Sequence, residues 1–262
     1  MVFPAFFCFF EIRKIQKMKK ILSYLISPIH MFLFALLLLV FHPVQVVTRW
    51  IWGYPVRKKS VDILNLLLIR ILHVLGTRIS FRGFEKLPQG RPLIIVSNHQ
   101  CTYDIPPIVW GFRKHHPKFI SKIELSKGIP SISYNLRHGG SALIDRKNKG
   151  QAIKEIIKLG RHIEENNYAA SIFPEGTRSK NGQVKKFQEG GIHTLLKVAP
   201  SSIIVPFVID GNSELMKNGY YPFTFGVHLK YTVLDPIEPD GLSAAEIAEM
   251  CEIRIKKELG QG

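Results

Sequence analysis

Four short strings carry side chains suited to acid–base chemistry and anion binding. The first is Asn98-His99-Gln100-Cys101-Thr102-Tyr103-Asp104. His99 and Asp104 are five positions apart, about 500° of rotation on one α-helix, so a helix would separate them. In a loop they can meet. Asp104 would accept a hydrogen bond from one imidazole nitrogen and leave the other to take a proton. Plainer roles exist for both. Asp104 precedes Ile105-Pro106-Pro107, and Asp before Pro is a good helix N-cap; His99 could be a loop histidine with a structural hydrogen bond. The second string, Gly140-Ser141-Ala142-Leu143-Ile144-Asp145-Arg146, ends in a guanidinium whose fork suits a phosphate. An Asp145–Arg146 surface pair, worth little, is the alternative. The third, Phe173-Pro174-Glu175-Gly176-Thr177-Arg178-Ser179, offers a turn glycine, a hydroxyl and a second guanidinium. Glu175 there could orient an arginine or receive a substrate hydroxyl, although Gly and Pro also simply punctuate turns. The fourth, Val205-Pro206-Phe207-Val208-Ile209, sets a proline inside an apolar run, which predicts an edge strand or a bulge.

Such loops need a frame. From about Thr77, β-prone runs alternate with segments of helical period. Strands are predicted at 78–82, 93–97, 118–121, 141–145, 169–173, 203–209 and 226–233, and helices at 105–113, 150–166, 190–198 and 243–259. The last opens with Ser243-Ala244-Ala245-Glu246, a capping-box spacing. The alternation predicts an α/β fold, a largely parallel central sheet flanked by helices, over residues 77–262. Ligands of such sheets sit at the carboxyl ends of strands, where the polar residues of the first three strings fall.

Residues 1–76 differ. Lys20 and Arg49 enclose 28 residues without Lys, Arg, Asp or Glu, and Met31–Phe41 is apolar throughout. As one helix the 28 residues reach roughly 42 Å, enough to cross a bilayer. Pro28 and Pro43 predict kinks or breaks. A second apolar block runs from Val61 to Leu75. Between them lie Arg49-Trp50-Ile51-Trp52-Gly53-Tyr54-Pro55 and Arg57-Lys58-Lys59, the composition a lipid headgroup region selects. This reads as two membrane-associated helices joined by an aromatic–basic turn. A single transmembrane anchor is one alternative. A signal peptide beginning near Met18-Lys19-Lys20 is another, although no small-residue cleavage site follows. Met18 also offers a second start, with residues 1–17 as an upstream extension.

The net charge of +16 favours anionic partners. Thirteen Lys/Arg and three Asp/Glu fall in residues 1–90, so the basic excess is densest beside the most apolar part. That suits an anionic membrane surface better than nucleic acid, for which no binding signature is present. A content of 46% hydrophobic residues excludes intrinsic disorder. Cys8, Cys101 and Cys251 are too sparse for a disulfide framework or a zinc site, and no other metal-ligand cluster is visible. A reducing, cytoplasmic setting follows.

In this order the four strings resemble the glycerophospholipid acyltransferase family, most closely the bacterial 1-acylglycerol-3-phosphate acyltransferases, over about Gly83 to Pro236. His99 and Asp104 match the family's catalytic pair. Gly140, Asp145 and Arg146 match its second motif, Glu175, Gly176, Thr177 and Arg178 its third, and Pro206 its fourth. Lys122 resembles a family lysine near the substrate phosphate. Two positions depart: Cys101, often Ser in the family, and Gln188 after Phe187, often Lys.

The resemblance implies a parallel-sheet α/β fold with an N-terminal two-helix membrane motif, at the cell membrane with its catalytic domain on the cytoplasmic face. It implies acyl transfer from acyl-CoA or acyl carrier protein to the sn-2 hydroxyl of 1-acyl-sn-glycerol-3-phosphate, without a further cofactor. His99 would be the base and Asp104 its orienting partner, with Lys122, Arg146, Glu175, Gly176, Thr177 and Arg178 binding substrate. N–H groups near Gly176 would help hold the oxyanion. An acyltransferase of the same family acting on another lyso-lipid stays open, as do two other classes: a membrane-associated Cys101/His99 esterase or thioesterase and a non-enzymatic lipid-binding protein.

Overall fold

The computed structural model describes residues 3–179 and 181–262; the side chains of residues 3–10 and 12, that of Cys8 included, lie outside the description. The first helix, α1 (Phe3–Arg70), has non-helical backbone at Gly53 (φ 72°, ψ −157°). It is therefore two arms, 3–52 and 54–70. The arms fold back on one another, with Leu38 against Leu64 and Leu68. The elbow falls in the aromatic–basic turn, at the residue that reaches positive φ most cheaply. Pro28 and Pro43, expected to kink or break the helix, do not end it. Pro28 has no N–H to give the carbonyl of Tyr24, and Tyr221 Oη donates to that oxygen instead at 3.2 Å.

The first arm carries its polar residues inward. Ser23, Ser27 and His30 are buried against the domain, whereas Leu25, Phe32 and Trp50 are 66%, 66% and 86% exposed. A helix with hydroxyls and imidazole toward protein and Leu, Phe and Trp outward is suited to lipid rather than water. The region Arg13–Leu75 is long and apolar enough, by length and composition, to cross a membrane.

After a 3₁₀ turn at Ile71–Leu75 come β1 (Arg78–Arg82), β2 (Leu93–Ser97), α2 (Ile105–Gly111), β3 (Lys118–Lys122), α3 (Ile132–His138), β4 (Ala142–Ile144), α4 (Lys149–Asn166), β5 (Ala169–Ile172), α5 (Gly190–Val198), β6 (Ile203–Asp210), α6 (Asn212–Leu215), β7 (His228–Val233) and α7 (Ala244–Glu258). The strands form one sheet in the order β1-β7-β6-β2-β5-β3-β4. Every pairing is parallel except β6–β7. β2 is buried on both faces: Leu93 and Ile95 enter one apolar core with α2, and Ile94 and Val96 enter the other with α4, α5 and α7. Ser243 and Glu246 form the expected capping box on α7.

β6 lies between β2 and β7, so Pro206 is not on an edge. It occupies a bulge. Between the Phe207↔Val233 pair and the Ile204↔Ile237 bridge, residues 234–236 stand opposite 205–206. The proline nitrogen falls where the ladder is already interrupted.

Candidate active site

The loops after β2, β3, β4 and β5, four neighbours in the sheet, bring most of the candidate residues to one edge. His99 and Asp104 meet. His99 Nδ1 lies 2.7 Å from Asp104 Oδ2, with the imidazole 16% exposed and the carboxylate 0%. Asp104 does not cap α2. It turns back over its own loop, where Oδ2 also accepts from the N–H of Gln100 (2.6 Å) and of Cys101 (2.9 Å). Oδ1 accepts from Asn212 Nδ2 at 2.7 Å, and Tyr231 Oη donates to Asn212 Oδ1 at 3.0 Å. A wholly buried carboxylate is tolerable when its lone pairs are filled in this way. With Nδ1 donating to Asp104, Nε2 is the free basic nitrogen. Among the described residues no protein group hydrogen-bonds it.

Sequence reasoning missed Asn212. The available signal is Gly211. Its φ is 89°, and a Cβ there would come within 2.3 Å of the His228 carbonyl oxygen. Only glycine makes that turn, which brings Asn212 beneath Asp104.

The third string closes on the first. The N–H of Ser179 donates to His99 O at 2.8 Å, and the His99 ring stacks on Phe173 with centroids 4.1 Å apart. Glu175, expected to bind substrate, is buried and faces inward: it accepts from the His99 N–H at 2.8 Å and the Lys185 N–H at 3.3 Å. Burial pushes its carboxyl up, and these two bonds pull it back. Its observed contacts fix the His99 loop. Gly176, Thr177 and Arg178 are exposed at the same edge. N–H groups near Gly176 are expected to help hold an oxyanion; that of Gly176 itself donates to Phe173 O at 3.0 Å.

Arg146 reaches across from β4, its Nη1 donating to the carbonyl of Gly176. The alternative Asp145–Arg146 pair does not form; Asp145 Oδ1 accepts from the Lys147 N–H. Lys122 is exposed at the carboxyl end of β3, in register with Ile144. Lys185, a second omission from the sequence reading, donates through Nζ to Thr177 Oγ1 (2.9 Å) and to the carbonyl of Arg178 (2.8 Å). Gly140 precedes β4, at the sheet's amino edge, away from this cluster.

Cys101 is 4% exposed, and its Sγ accepts from the Tyr103 N–H at 3.3 Å. Burial first, then the Asp104 charge, push its thiol well up. That is the reverse of what a thiolate nucleophile needs. Among the described residues no group of His, Cys, Asp and Glu could hold a metal ion.

The first arm reaches this loop directly. His30 Nε2 and Tyr103 Oη are 2.6 Å apart, and the N–H groups of Phe223 and Phe225 donate to Ser27 Oγ and Ser23 Oγ.

A family model described as Acyltransferase matches residues 78–210. The 1-acyl-sn-glycerol-3-phosphate acyltransferase alpha of Ovis aries is 28% identical over 194 residues, 74% of this chain and 66% of that protein. The 1-acyl-sn-glycerol-3-phosphate acyltransferase of Saccharomyces cerevisiae is 28% identical over 188 residues, 68% of this chain and 58% of that one. This chain thus spans about two thirds of the length of its mammalian relatives. The crystal structure of the 1-acyl-sn-glycerophosphate (LPA) acyltransferase PlsC of Thermotoga maritima superposes with a TM-score of 0.77 at 25% identity, covering 93% of this chain and 97% of that one.

Proposed function

The chain belongs to the acyltransferase family, and on that premise we propose that it transfers a fatty acyl group from a thioester to the sn-2 hydroxyl of 1-acyl-sn-glycerol-3-phosphate, giving phosphatidate. The observation that carries this is the 2.7 Å His99–Asp104 contact, with Nε2 left free at the edge where the guanidinium-bearing loops converge. Nε2 takes the hydroxyl proton as the alcohol oxygen attacks the thioester carbonyl carbon. The tetrahedral oxyanion collapses, the C–S bond breaks, and the departing thiolate receives the proton from the imidazolium. Asp104 stabilises that imidazolium without itself being protonated. Arg146, Arg178 and Lys122, with Lys185 behind the Thr177 loop, hold the acceptor phosphate. The thioester is co-substrate, and no other cofactor enters this step.

Residues 1–76 serve as the membrane-associated part and 77–262 as the catalytic domain, on the cytoplasmic face of the cell membrane. The outward apolar stripe of the first arm supports this, since both lipid acceptor and product reside in a bilayer. The basic surface favours an anionic leaflet and an acidic donor, acyl-CoA or acyl carrier protein. The test is a panel of both donors against glycerol-3-phosphate, lysophosphatidate and other lyso-lipids, read by mass spectrometry of the products. Turnover greatest with lysophosphatidate is expected; no acyl transfer to any acceptor would leave a lipid-binding protein instead.

A further inference from the structure

The opposite edge of the sheet holds a cleft that acyl transfer does not use. It is small and partly open, with a cavity volume of about 30 Å³ between the second arm of α1, the amino end of β3 and the loop from α3 to β4. Arg57, Lys58, Asp62, His116, Lys118 and Asn135 are among its walls. Two of its cations are almost wholly buried, Arg57 at 2% exposure and Lys118 at 4%. Arg57 Nη1 donates to Asn135 Oδ1 at 2.9 Å, but its Nε is buried without a partner. Lys118 Nζ donates to Tyr54 Oη at 2.7 Å and lies over the rings of Tyr54 and Tyr168.

Asp62 is the carboxylate lining this cleft. Its Oδ2 is bound by Lys58 Nζ at 2.5 Å, and its Oδ1 is buried without a partner. Three cations therefore face one anion that is already engaged. Tyrosine rings and an amide do not neutralise the remaining charge, and a buried guanidinium with an unpaired N–H is unfavourable until an anion completes it. Burial, with Arg57 and Lys58 nearby, brings Lys118 down to about 7.

We propose that this cleft is a second, non-catalytic site for a phosphate monoester, with Arg57 and Lys118 donating to its oxygens and Asp62 Oδ1 accepting its remaining O–H. The acceptor oxygen sets the specificity. A monoester monoanion has an O–H to give; a phosphodiester or sulfate does not. Free phosphate and the headgroup of phosphatidate share this chemistry. The elbow beside the cleft favours the lipid, since Trp50 and Trp52 there are 86% and 57% exposed. The proposal stands apart from the acyl-transfer reading.

The test begins with the full chain carrying Arg146→Ala and Arg178→Ala, so that phosphate has no guanidinium grip at the catalytic edge. Inorganic phosphate should raise its melting temperature more than sulfate at equal ionic strength. Adding Arg57→Gln should weaken the apparent phosphate affinity about tenfold or more. Lys118→Met is the second variant if Arg57→Gln does not fold. Arsenate in crystals of the unaltered chain gives a readout free of variants, an arsenic anomalous peak in the cleft. Flotation with vesicles of phosphatidate against phosphatidylglycerol, matched in charge, separates the sources. A phosphatidate preference lost in Lys118→Met assigns the lipid, and phosphate stabilisation without that preference assigns the free ion. Equal stabilisation by phosphate and sulfate that Arg57→Gln leaves intact, or no arsenic peak in the cleft, overturns the proposal.

Discussion

Replacing Asp104 by Asn separates the charge of this side chain from its hydrogen bonds. The carboxylate accepts four of them: Oδ2 from His99 Nδ1 and the N–H groups of Gln100 and Cys101, and Oδ1 from Asn212 Nδ2. An amide has one acceptor oxygen. With that oxygen at the Oδ2 position it keeps three of the four and sets its NH₂ against Asn212. Turned over, it sets NH₂ against three N–H donors, so the first arrangement wins. His99 then keeps its Nδ1 proton, and Nε2 remains the base. One buried bond is lost, about 1–3 kcal/mol of stability, together with the negative charge behind the imidazolium. Exchanging a charged for a neutral acceptor costs the transition state roughly 1.5–3 kcal/mol, or about 10- to 150-fold in kcat. KM for the acceptor should barely move, because Asp104 is sealed from the substrate side. Adding Asn212→Asp to Asp104→Asn restores the missing acceptor but leaves the charge one residue away from His99. Stability should recover and kcat should not. Thermal unfolding and initial rates of phosphatidate formation read the two effects. A wild-type kcat for Asp104→Asn, or kcat regained in the double variant, would refute the assigned role of the charge.

Further outcomes follow from other contacts. His30→Phe leaves the buried Tyr103 hydroxyl without its 2.6 Å partner and should cost about 1–3 kcal/mol in thermal unfolding, most of which Tyr103→Phe in the same chain should restore. Lys118, brought from 10.5 to about 7 by burial and by Arg57 and Lys58, binds fewer protons folded than unfolded between those values. Stability in phosphate-free buffer should therefore rise with pH from about 7 to 10, by at most about 1.4 kcal/mol per pH unit, and Lys118→Met should flatten the rise. Cys101→Ala should keep its acyl-transfer rate within about threefold, because a buried, protonated thiol is no nucleophile; trapping of a covalent acyl-protein on the unaltered chain would contradict this.

Much of the fold was legible because its strands are short apolar runs between strong turn signals. β1, β2 and α5 fall on their predicted bounds, and the other predicted elements are off by a few residues at their ends. α3 escaped notice because Ile132–His138 is one short, polar-flanked turn pair with little periodicity. Pro28 and Pro43 do not break α1, because a local rule leaves out tertiary partners. Tyr221, far along the chain, supplies what Pro28 lacks. At the site, His99 and Asp104 were legible as a pair of reactive types at a spacing that only a loop reconciles. Asn212, Tyr231 and Lys185 were not. Asn212 and Tyr231 lie far along the chain from the carboxylate they support, and nothing local marks an amide or a tyrosine for that role; Lys185 is only eight positions from Thr177, but in the sequence it is one more lysine of a basic run. Glu175 was noticed for its charge, but long-range contacts turn that charge inward onto the His99 N–H.

The most direct measurement is the rate at which purified His99→Ala converts lysophosphatidate and an acyl thioester to phosphatidate, with thermal unfolding as the control for a folded chain. Loss of the base should lower kcat by about 10²–10⁴-fold while the protein remains folded. A folded His99→Ala chain that turns over at the unaltered rate would contradict the account.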